Sequence, residues 1–258
     1  MEYQAIKFWN RNGVATITLK RPDVMNALNT QMRAELTHAV KDLQDKARVI
    51  VVTGQGKSFC SGQDLGDGGN AANLDLERTL RDEYVPMLRA IVESKVPTIA
   101  AVNGAAAGAG ANLALCFDVV LATESAYFVQ AFTRIGLIPD AGGTFFLPRQ
   151  VGTARAMGAS LFADKISARQ AADWGMIYEC IPDDDFAQRW QDRAMQLANG
   201  PTKAYQHLKE AMKASAHNDF EHQLAVEAKM QGKCGQTRDF QEGVVAFLEK
   251  RPAVYEGR

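Results

Sequence analysis

Two loops of small residues carry the first sign of chemistry in this chain. Residues 49–53 form an apolar run of strand length that leads into a Gly-containing loop, and residues 98–102 form another that leads into the Gly- and Ala-rich segment 103–111. Small residues after a strand let a ligand approach the backbone, and N–H groups at such turns stabilise developing negative charge. Tight packing of a helix on a sheet requires the same residue types, so the pattern alone leaves both interpretations open.

Neither loop satisfies a phosphate-binding motif. Residues 56–58 (Gly-Lys-Ser) resemble the end of a P-loop, but Val51 stands where that motif requires its first glycine. Residues 108–110 (Gly-Ala-Gly) resemble the start of a dinucleotide fingerprint, but Leu113 replaces its third glycine. The sequence therefore argues against a nucleotide phosphate site at either loop.

One carboxylate, that of Asp140, lies in a segment that could hold it in place. The surrounding residues 139–143 read Pro-Asp-Ala-Gly-Gly, which is typical of a turn, and this local pattern alone predicts a turn residue.

Composition excludes several other function classes. The chain has 258 residues and a net charge of -1, so it can bury a large core but lacks the basic face that nucleic acid requires. No apolar run approaches the ~20 residues of a membrane span. The four cysteines form no CxxC pair and the four histidines have no metal-ligand spacing. We therefore expect a cytoplasmic protein without a metal, a membrane partner or a secretory signal.

The elements that must position the loops alternate between strand and helix. The patterns predict a hairpin at 5–9 and 14–19, a helix at 30–45, strands at 49–53, 98–102 and 117–122, and a helix at 74–92. This alternation predicts an α/β fold with mainly parallel strands. After about Gly152 helical patterns dominate, at 167–174, 184–198, 201–216, 220–231 and 238–248.

Three segments together resemble the enoyl-CoA hydratase/isomerase (crotonase) superfamily. They read SFCSGQDL at 58–65, VNGAAAGAGANLAL at 102–115 and FTRIGLIPDAGGT at 132–144. The likeness extends over essentially the whole chain, from residue 21 to the C-terminal helix. It implies a spiral of ββα units over 1–195, with the CoA-thioester site, and a helical region at 196–258 that assembles trimers or hexamers. It implies no cofactor, since coenzyme A is part of the substrate.

The resemblance also implies roles for individual residues. The backbone amides of Gln63 and Ala109 match the oxyanion hole that binds the thioester carbonyl, although many relatives have glycine at the second position. The two acidic residues of a hydratase match Asn112 and Phe132, and neither can act as a carboxylate. Asp140 matches the catalytic aspartate of several isomerase relatives. The resemblance therefore implies proton transfer rather than addition of water.

Within the superfamily, the second and third segments most resemble the ring-1,2-epoxyphenylacetyl-CoA isomerases of phenylacetate degradation. Those enzymes convert the ring epoxide to an oxepin and move double bonds from position 3 to position 2 of enoyl-CoAs. Residues that match the CoA or acyl site in this comparison are Met25, Ala27, Ser61, Asp64, Leu65, Asn112, Phe132, Phe247 and Lys250. Asn112 could orient either Asp140 or a substrate oxygen, and Arg21 or Lys20 could meet a phosphate.

Two alternatives remain open from the sequence. One is an enoyl-CoA hydratase of fatty-acid β-oxidation with atypical residues. The other is a non-catalytic subunit that binds acyl-CoA within an assembly.

Overall fold

The computed structural model describes residues 3–66 and 75–258, which form two β-sheets surrounded by helices. The ten strands are β1 (Ile6–Arg11), β2 (Val14–Leu19), β3 (Val49–Gly54), β4 (Ser58–Cys60), β5 (Thr98–Val102), β6 (Ala105–Ala107), β7 (Val119–Thr123), β8 (Tyr127–Val129), β9 (Ile166–Ser167) and β10 (Glu179–Ile181). Six of them form a sheet in the order β1-β2-β3-β5-β7-β10, and four form a second sheet in the order β4-β6-β8-β9.

The six-stranded sheet confirms the predicted α/β arrangement. Only β1 runs antiparallel to its neighbour, and β2, β3, β5, β7 and β10 are all parallel. The β1–β2 turn contains Asn12 and Gly13 with positive φ values of 53° and 78°, as a tight hairpin requires. Both faces are buried at β2, at β5 and at Val49–Val52 of β3, whereas β1 is exposed after Ile6. Ile50 and Val52 face the main core, while Val49 and Val51 face a second core that the helix Asp183–Ala198 covers, which explains their continuous apolar pattern.

The second sheet was not predicted from the sequence. Its strands have only two or three residues each, and one of them, Ala105–Ala107, consists of alanine alone. β4, β6 and β8 are parallel and β9 is antiparallel to β8. Because the carboxyl ends of parallel strands meet at one edge, the loops after β4 and β6 begin side by side.

Helices cover the two sheets and form the C-terminal region. They are α1 (Thr30–Leu43), α2 (Leu76–Thr79), α3 (Val85–Val92), α4 (Ala109–Leu115), α5 (Gly143–Val151), α6 (Thr153–Phe162), α7 (Ala168–Asp173), α8 (Asp183–Ala198), α9 (Thr202–Ser215), α10 (Phe220–Gly235) and α11 (Arg238–Glu249). Short 3-10 turns occur at Pro22–Val24 and Ala131–Ile135. The C-terminal helices confirm the predicted ones to within a few residues, while α5 and α6 were not predicted individually.

A π-helical turn, Leu80–Tyr84, joins α2 to α3, so that helix continues from 76 to 92. This matches the predicted helix at 74–92, of which residue 74 lies outside the described residues. The backbone N–H of Val85 donates to the carbonyl of Leu80, five residues back, which defines the wider turn.

The predicted division of the chain at 195/196 stays a prediction, and residue 195 itself lies in the last turn of α8. Within the described ranges, no helix is long and apolar enough to cross a bilayer.

Candidate active site

The two loops predicted to bear amides do lie side by side. Gln63 follows β4 by three residues and Ala109 follows β6 by two, and β4 pairs with β6 in parallel. Gly62, with φ of 97°, permits the close approach: a Cβ atom there would lie 2.8 Å from the carbonyl oxygen of Ala107 and 3.3 Å from the amide nitrogen of Ala109. The fold therefore brings the two amides to one place.

Both amides are available to a ligand. Leu28 pairs with the first loop by donating to the carbonyl of Gly62 (2.7 Å) and accepting from the N–H of Asp64 (3.2 Å). Because Leu28 bonds to the residues on either side of Gln63, the N–H of Gln63 points away from Leu28. Ala109 is the first residue of α4, where an N–H has no partner within the helix. Neither N–H donates to a backbone acceptor in the part of the chain that the structure describes.

The alanine at position 109 does not strain the backbone. The positive φ in this loop, 52°, belongs to Gly108, and Ala109 itself begins a right-handed helix. An N–H group donates equally well from alanine and glycine when the backbone conformation is helical. The departure from the glycine of many relatives therefore leaves the amide in place.

Asp140 lies at the same cavity on a tightly held turn. Its backbone carbonyl accepts from the N–H of Gly143 (2.8 Å) and from Nδ2 of Asn112 (2.8 Å). Ala141, the next residue, has a positive φ of 49°, which is uncommon for a residue with a side chain. The Asp140 Oδ1 atom is buried and has no hydrogen-bond partner among the described residues.

The setting of Asp140 changes its acidity. Burial disfavours the charged form and raises the pKa of Asp140 to about 6, against a weaker opposing effect of its own backbone N–H. A carboxylate with this pKa accepts a proton readily near neutral pH and can also give it back. The turn interpretation and the catalytic interpretation are thus compatible, because the turn is what presents the carboxylate.

Behind the turn, Asn112 and Gln130 form a buried hydrogen-bonded chain. Gln130 Nε2 donates to Asn112 Oδ1 at 2.8 Å, and Asn112 Nδ2 donates to the Asp140 carbonyl. Asn112 is 0% exposed and Gln130 1%. Of the two roles considered for Asn112, this hydrogen bond supports the one in which it orients Asp140. Gln130 was not singled out in the sequence, since a lone glutamine beside a strand carries no recognisable pattern.

The amides and Asp140 surround a cavity of about 280 Å³ with mostly apolar walls. Its lining residues are Ser61, Gly62, Gln63, Leu65, Leu76, Thr79, Leu80, Tyr84, Gly108, Ala109, Ala131, Phe132, Arg134, Ile135, Leu137 and Asp140. The volume is just below the range of sites that hold drug-sized ligands, so it fits an acyl group rather than a whole CoA ester. Tyr84, Leu76 and Leu80 were not predicted here, because on a helix they resemble ordinary core residues.

The other predicted site residues are distributed unevenly. Ser61, Leu65 and Phe132 line the cavity. Met25 and Ala27 lie on the adjacent segment, where the carbonyl of Met25 accepts from the Ser61 N–H at 3.0 Å. Asp64 is held by Arg21, whose Nη1 donates to it at 2.7 Å.

Asp64 and Arg21 join these two segments. Arg21 Nη1 also donates to the carbonyl of Ala27 at 2.7 Å. Partial burial alone would raise the pKa of Asp64, but the Arg21 guanidinium and the Gly66 N–H hold it below its ordinary value. Arg21, considered from the sequence as a phosphate ligand, thus already has an anionic partner in this chain.

Phe247 and Lys250 lie elsewhere in this single chain. Phe247 lines a separate cavity of the C-terminal helices and is 82% exposed, and Lys250 ends α11. The structure therefore does not bring these two residues to the Asp140 cavity within one chain. The described residues also contain no cluster of three His, Cys, Asp or Glu side chains that could hold a metal ion.

Comparison with known proteins agrees with this geometry. The sequence profile of the enoyl-CoA hydratase/isomerase family matches residues 10–258. A probable enoyl-CoA hydratase of Rhodobacter capsulatus is 58% identical over 258 residues, covering 100% of both chains. The 1,2-epoxyphenylacetyl-CoA isomerase of Escherichia coli is 42% identical over 251 residues, covering 95% of this chain and 96% of that one.

A solved structure gives the same result for the fold. The enoyl-CoA hydratase of Bacillus anthracis superposes with a TM-score of 0.91 at 30% identity, covering 99% of this chain and 100% of that one. The chain belongs to the enoyl-CoA hydratase/isomerase (crotonase) family. It is an enzyme of that superfamily, with the predicted crotonase fold, and an acyl-CoA thioester as substrate fits the family.

Proposed function

We propose that this enzyme is a cofactor-free acyl-CoA isomerase in which Asp140 moves a proton on a thioester enolate. The observation that carries the proposal is the buried, unpartnered Oδ1 atom of Asp140 in a cavity that the Gln63 and Ala109 loops also line. One group that takes a proton and two that stabilise an oxyanion are what such a reaction requires.

The chemistry follows from this arrangement. The amides of Gln63 and Ala109 would donate to the thioester carbonyl, which acidifies the neighbouring carbon. For a 3-enoyl-CoA, the Asp140 carboxylate removes a proton from C2 to give a dienolate and returns it to C4. The double bond thereby moves from position 3 to position 2 without gain or loss of atoms.

The substrate that we propose is ring-1,2-epoxyphenylacetyl-CoA, which would be converted to the oxepin, together with 3-enoyl-CoAs. The similarity to the isomerase of Escherichia coli supports the ring epoxide. The apolar cavity walls, among them Phe132, Leu137 and Ile135, suit an uncharged cyclic or aliphatic acyl group. Met25, Ala27, Ser61, Asp64 and Leu65 would border the CoA part.

Hydration of enoyl-CoA is the second candidate. The name of the Rhodobacter capsulatus relative, at 58% identity, favours it. The two positions that would carry hydratase acids oppose it: Phe132 is apolar, and the Asn112 side chain is 0% exposed and bonded to Asp140 and Gln130. With no second carboxylate there, nothing at these positions could activate a water molecule.

Turnover measurements on a panel of CoA thioesters test the proposal. We expect an absorbance change without a change of mass with a 3-enoyl-CoA and with the ring epoxide. With crotonyl-CoA we expect no hydration. Asp140→Asn should lose most turnover while still binding CoA esters, whereas the exposed Asp164→Asn should retain it. Robust hydration of crotonyl-CoA, or near-full isomerase activity in Asp140→Asn, would contradict the proposal. Binding without any turnover would favour the non-catalytic subunit.

We further propose that the enzyme assembles as a trimer or a pair of trimers through its C-terminal helices. Large apolar side chains stay exposed there in a single chain, including Met212 (67%), Phe220 (73%), Phe247 (82%) and Leu248 (73%). In such an assembly Phe247 and Lys250 would reach the CoA of a neighbouring subunit. Light scattering gives the oligomeric state, and a monomeric, fully active protein would refute this arrangement.

A further inference from the structure

The side chain of Gln63 is held by two donors from outside its loop. Its Oε1 atom accepts from Tyr84 Oη at 2.6 Å and from Arg33 Nη1 at 3.0 Å. Its Nε2 atom donates to the carbonyl of Asp64 at 3.2 Å. The residue whose main-chain N–H is free for a ligand is thus fixed through its side chain.

Arg33 also holds the segment around Leu28, which pairs with this loop through an isolated β-bridge. The Arg33 side chain is 2% exposed, and its Nη1 donates to the carbonyl of Leu28 at 2.5 Å. Leu28 is the bridge partner of Gln63, bonded to the residues on either side of it. One buried cation therefore contacts both the side chain of Gln63 and the backbone that sets the direction of its peptide group.

Glu83 completes the arrangement by binding the other edge of the guanidinium. Its Oε2 atom accepts from Arg33 Nη2 at 2.6 Å and from Nε at 3.0 Å. A buried arginine requires such a partner, because an unpaired charge away from water is costly. Burial also raises the pKa of Tyr84, so its hydroxyl stays protonated and remains a donor.

Two successive residues on the π-helical turn contact the same buried group. Glu83 and Tyr84 both lie on the π-helical turn Leu80–Tyr84 and both contact the Arg33–Gln63 pair, with the Arg33 guanidinium also 4.9 Å from the centre of the Tyr84 ring. Single π-turns are rare and occur frequently at functional sites, and this one faces the cavity through Tyr84.

We infer that Arg33, Glu83 and Tyr84 are positioning residues that aim the N–H of Gln63 at the thioester carbonyl. The inference rests on the oxyanion role proposed for that amide. Fixing the peptide group in advance removes the need to reorient it when negative charge develops, which is where such donors contribute to rate. A structural role alone would support the fold without affecting the polarisation of a bound carbonyl.

The infrared frequency of a bound carbonyl separates these two roles. The probe is phenylacetyl-CoA labelled with 13C at the thioester carbonyl. Its acyl group has no alkene double bond that the enzyme could move. In the unaltered protein we expect its carbonyl band at lower frequency than in water. Tyr84→Phe, which removes one donor to Gln63 and keeps the ring, should move the band back towards the aqueous position. It should lower kcat about ten-fold, the effect of one hydrogen bond of about 1.4 kcal/mol, with little change in KM.

A second variant and a control complete the experiment. Gln63→Met keeps the side-chain length and removes the acceptor, so it should reproduce the band shift even if Tyr84→Phe folds poorly. Tyr3→Phe, which loses only an exposed contact to His38, should behave like the unaltered protein. An unchanged band and kcat in both site variants would overturn the inference. A band at the aqueous position in the unaltered protein would overturn the oxyanion role itself, whereas loss of turnover on the substrate panel alone would concern only the proposed reaction.

Discussion

Replacing Asp140 by asparagine should make the folded protein more stable at neutral pH while it removes activity. Burial raises the pKa of Asp140 from the ordinary 3.8 to about 6. The folded chain therefore holds this proton more tightly than the unfolded chain does. Between these two pH values the unfolded state loses its proton first, so the free energy of unfolding falls as pH rises.

The size of the effect follows from the difference between the two pKa values. Each pKa unit corresponds to about 1.4 kcal/mol, so above pH 6 the ionised Asp140 carboxylate costs the folded chain about 3 kcal/mol. Well below pH 3.8 the group is neutral in both states and its ionisation costs nothing. Asp140→Asn removes this ionisation, so its free energy of unfolding should exceed that of the unaltered protein by up to that amount at pH 7–8, and the difference should shrink as pH falls towards 4.

Urea unfolding of both proteins at several pH values between 4 and 8 measures this difference. Asp64→Asn is the control of opposite sign, because Arg21 holds the pKa of Asp64 below its ordinary value and an asparagine there loses that ion pair. It should be less stable than the unaltered protein at pH 7. A difference for Asp140→Asn that is independent of pH, or a loss of stability at pH 8, would refute the assigned burial of this carboxylate.

Further expectations concern the same turn. The kcat/KM of the isomerase reaction should fall below an apparent pKa of about 6, as a general base with the pKa of Asp140 requires; a flat profile down to pH 5 would contradict this. Asn112→Ala should lower kcat by about ten-fold or more with a smaller change in KM, because the Asp140 carbonyl loses its 2.8 Å donor; equal kinetics in steady-state assays would show that Gly143 alone holds the turn. Gly143→Ala should lower both thermal stability and turnover, because its Cβ atom would lie 2.2 Å from Nδ2 of Asn112; an unchanged melting curve would contradict that close packing.

The large sheet could be predicted from the sequence because its strands are unambiguous locally. Residues 49–52 are apolar throughout, since both faces of β3 are buried. The second sheet could not be predicted in this way. The Ala105–Ala107 strand has no apolar alternation, and its pairing with Ser58–Cys60 joins residues 46 and 47 positions apart (Cys60 with Ala106, Ser58 with Ala105).

The site divides in a similar manner. The resemblance assigned Gln63, Ala109 and Asp140, and the structure places all three at one cavity. Arg33 and Tyr84 were missed for a physical reason. In the sequence Arg33 resembles a solvated helix charge, and its partner Glu83 lies 50 residues away. The contacts that join Arg33 to Glu83 and Tyr84 to Gln63 link distant positions of the chain, so they are visible only in three dimensions.

The placement of Asp140 on one wall has a stereochemical consequence. An enolate is planar and has two faces, and a carbonyl oxygen held by the Gln63 and Ala109 amides would present only one of them to the carboxylate. Under the proposed chemistry the hydrogen would leave and return on that same face. Because the walls around Asp140 are mainly apolar, a deuterium label removed from C2 should reappear at C4 before it exchanges with the medium. The Asp140 carboxylate would thus make proton transfer to the planar enolate stereospecific.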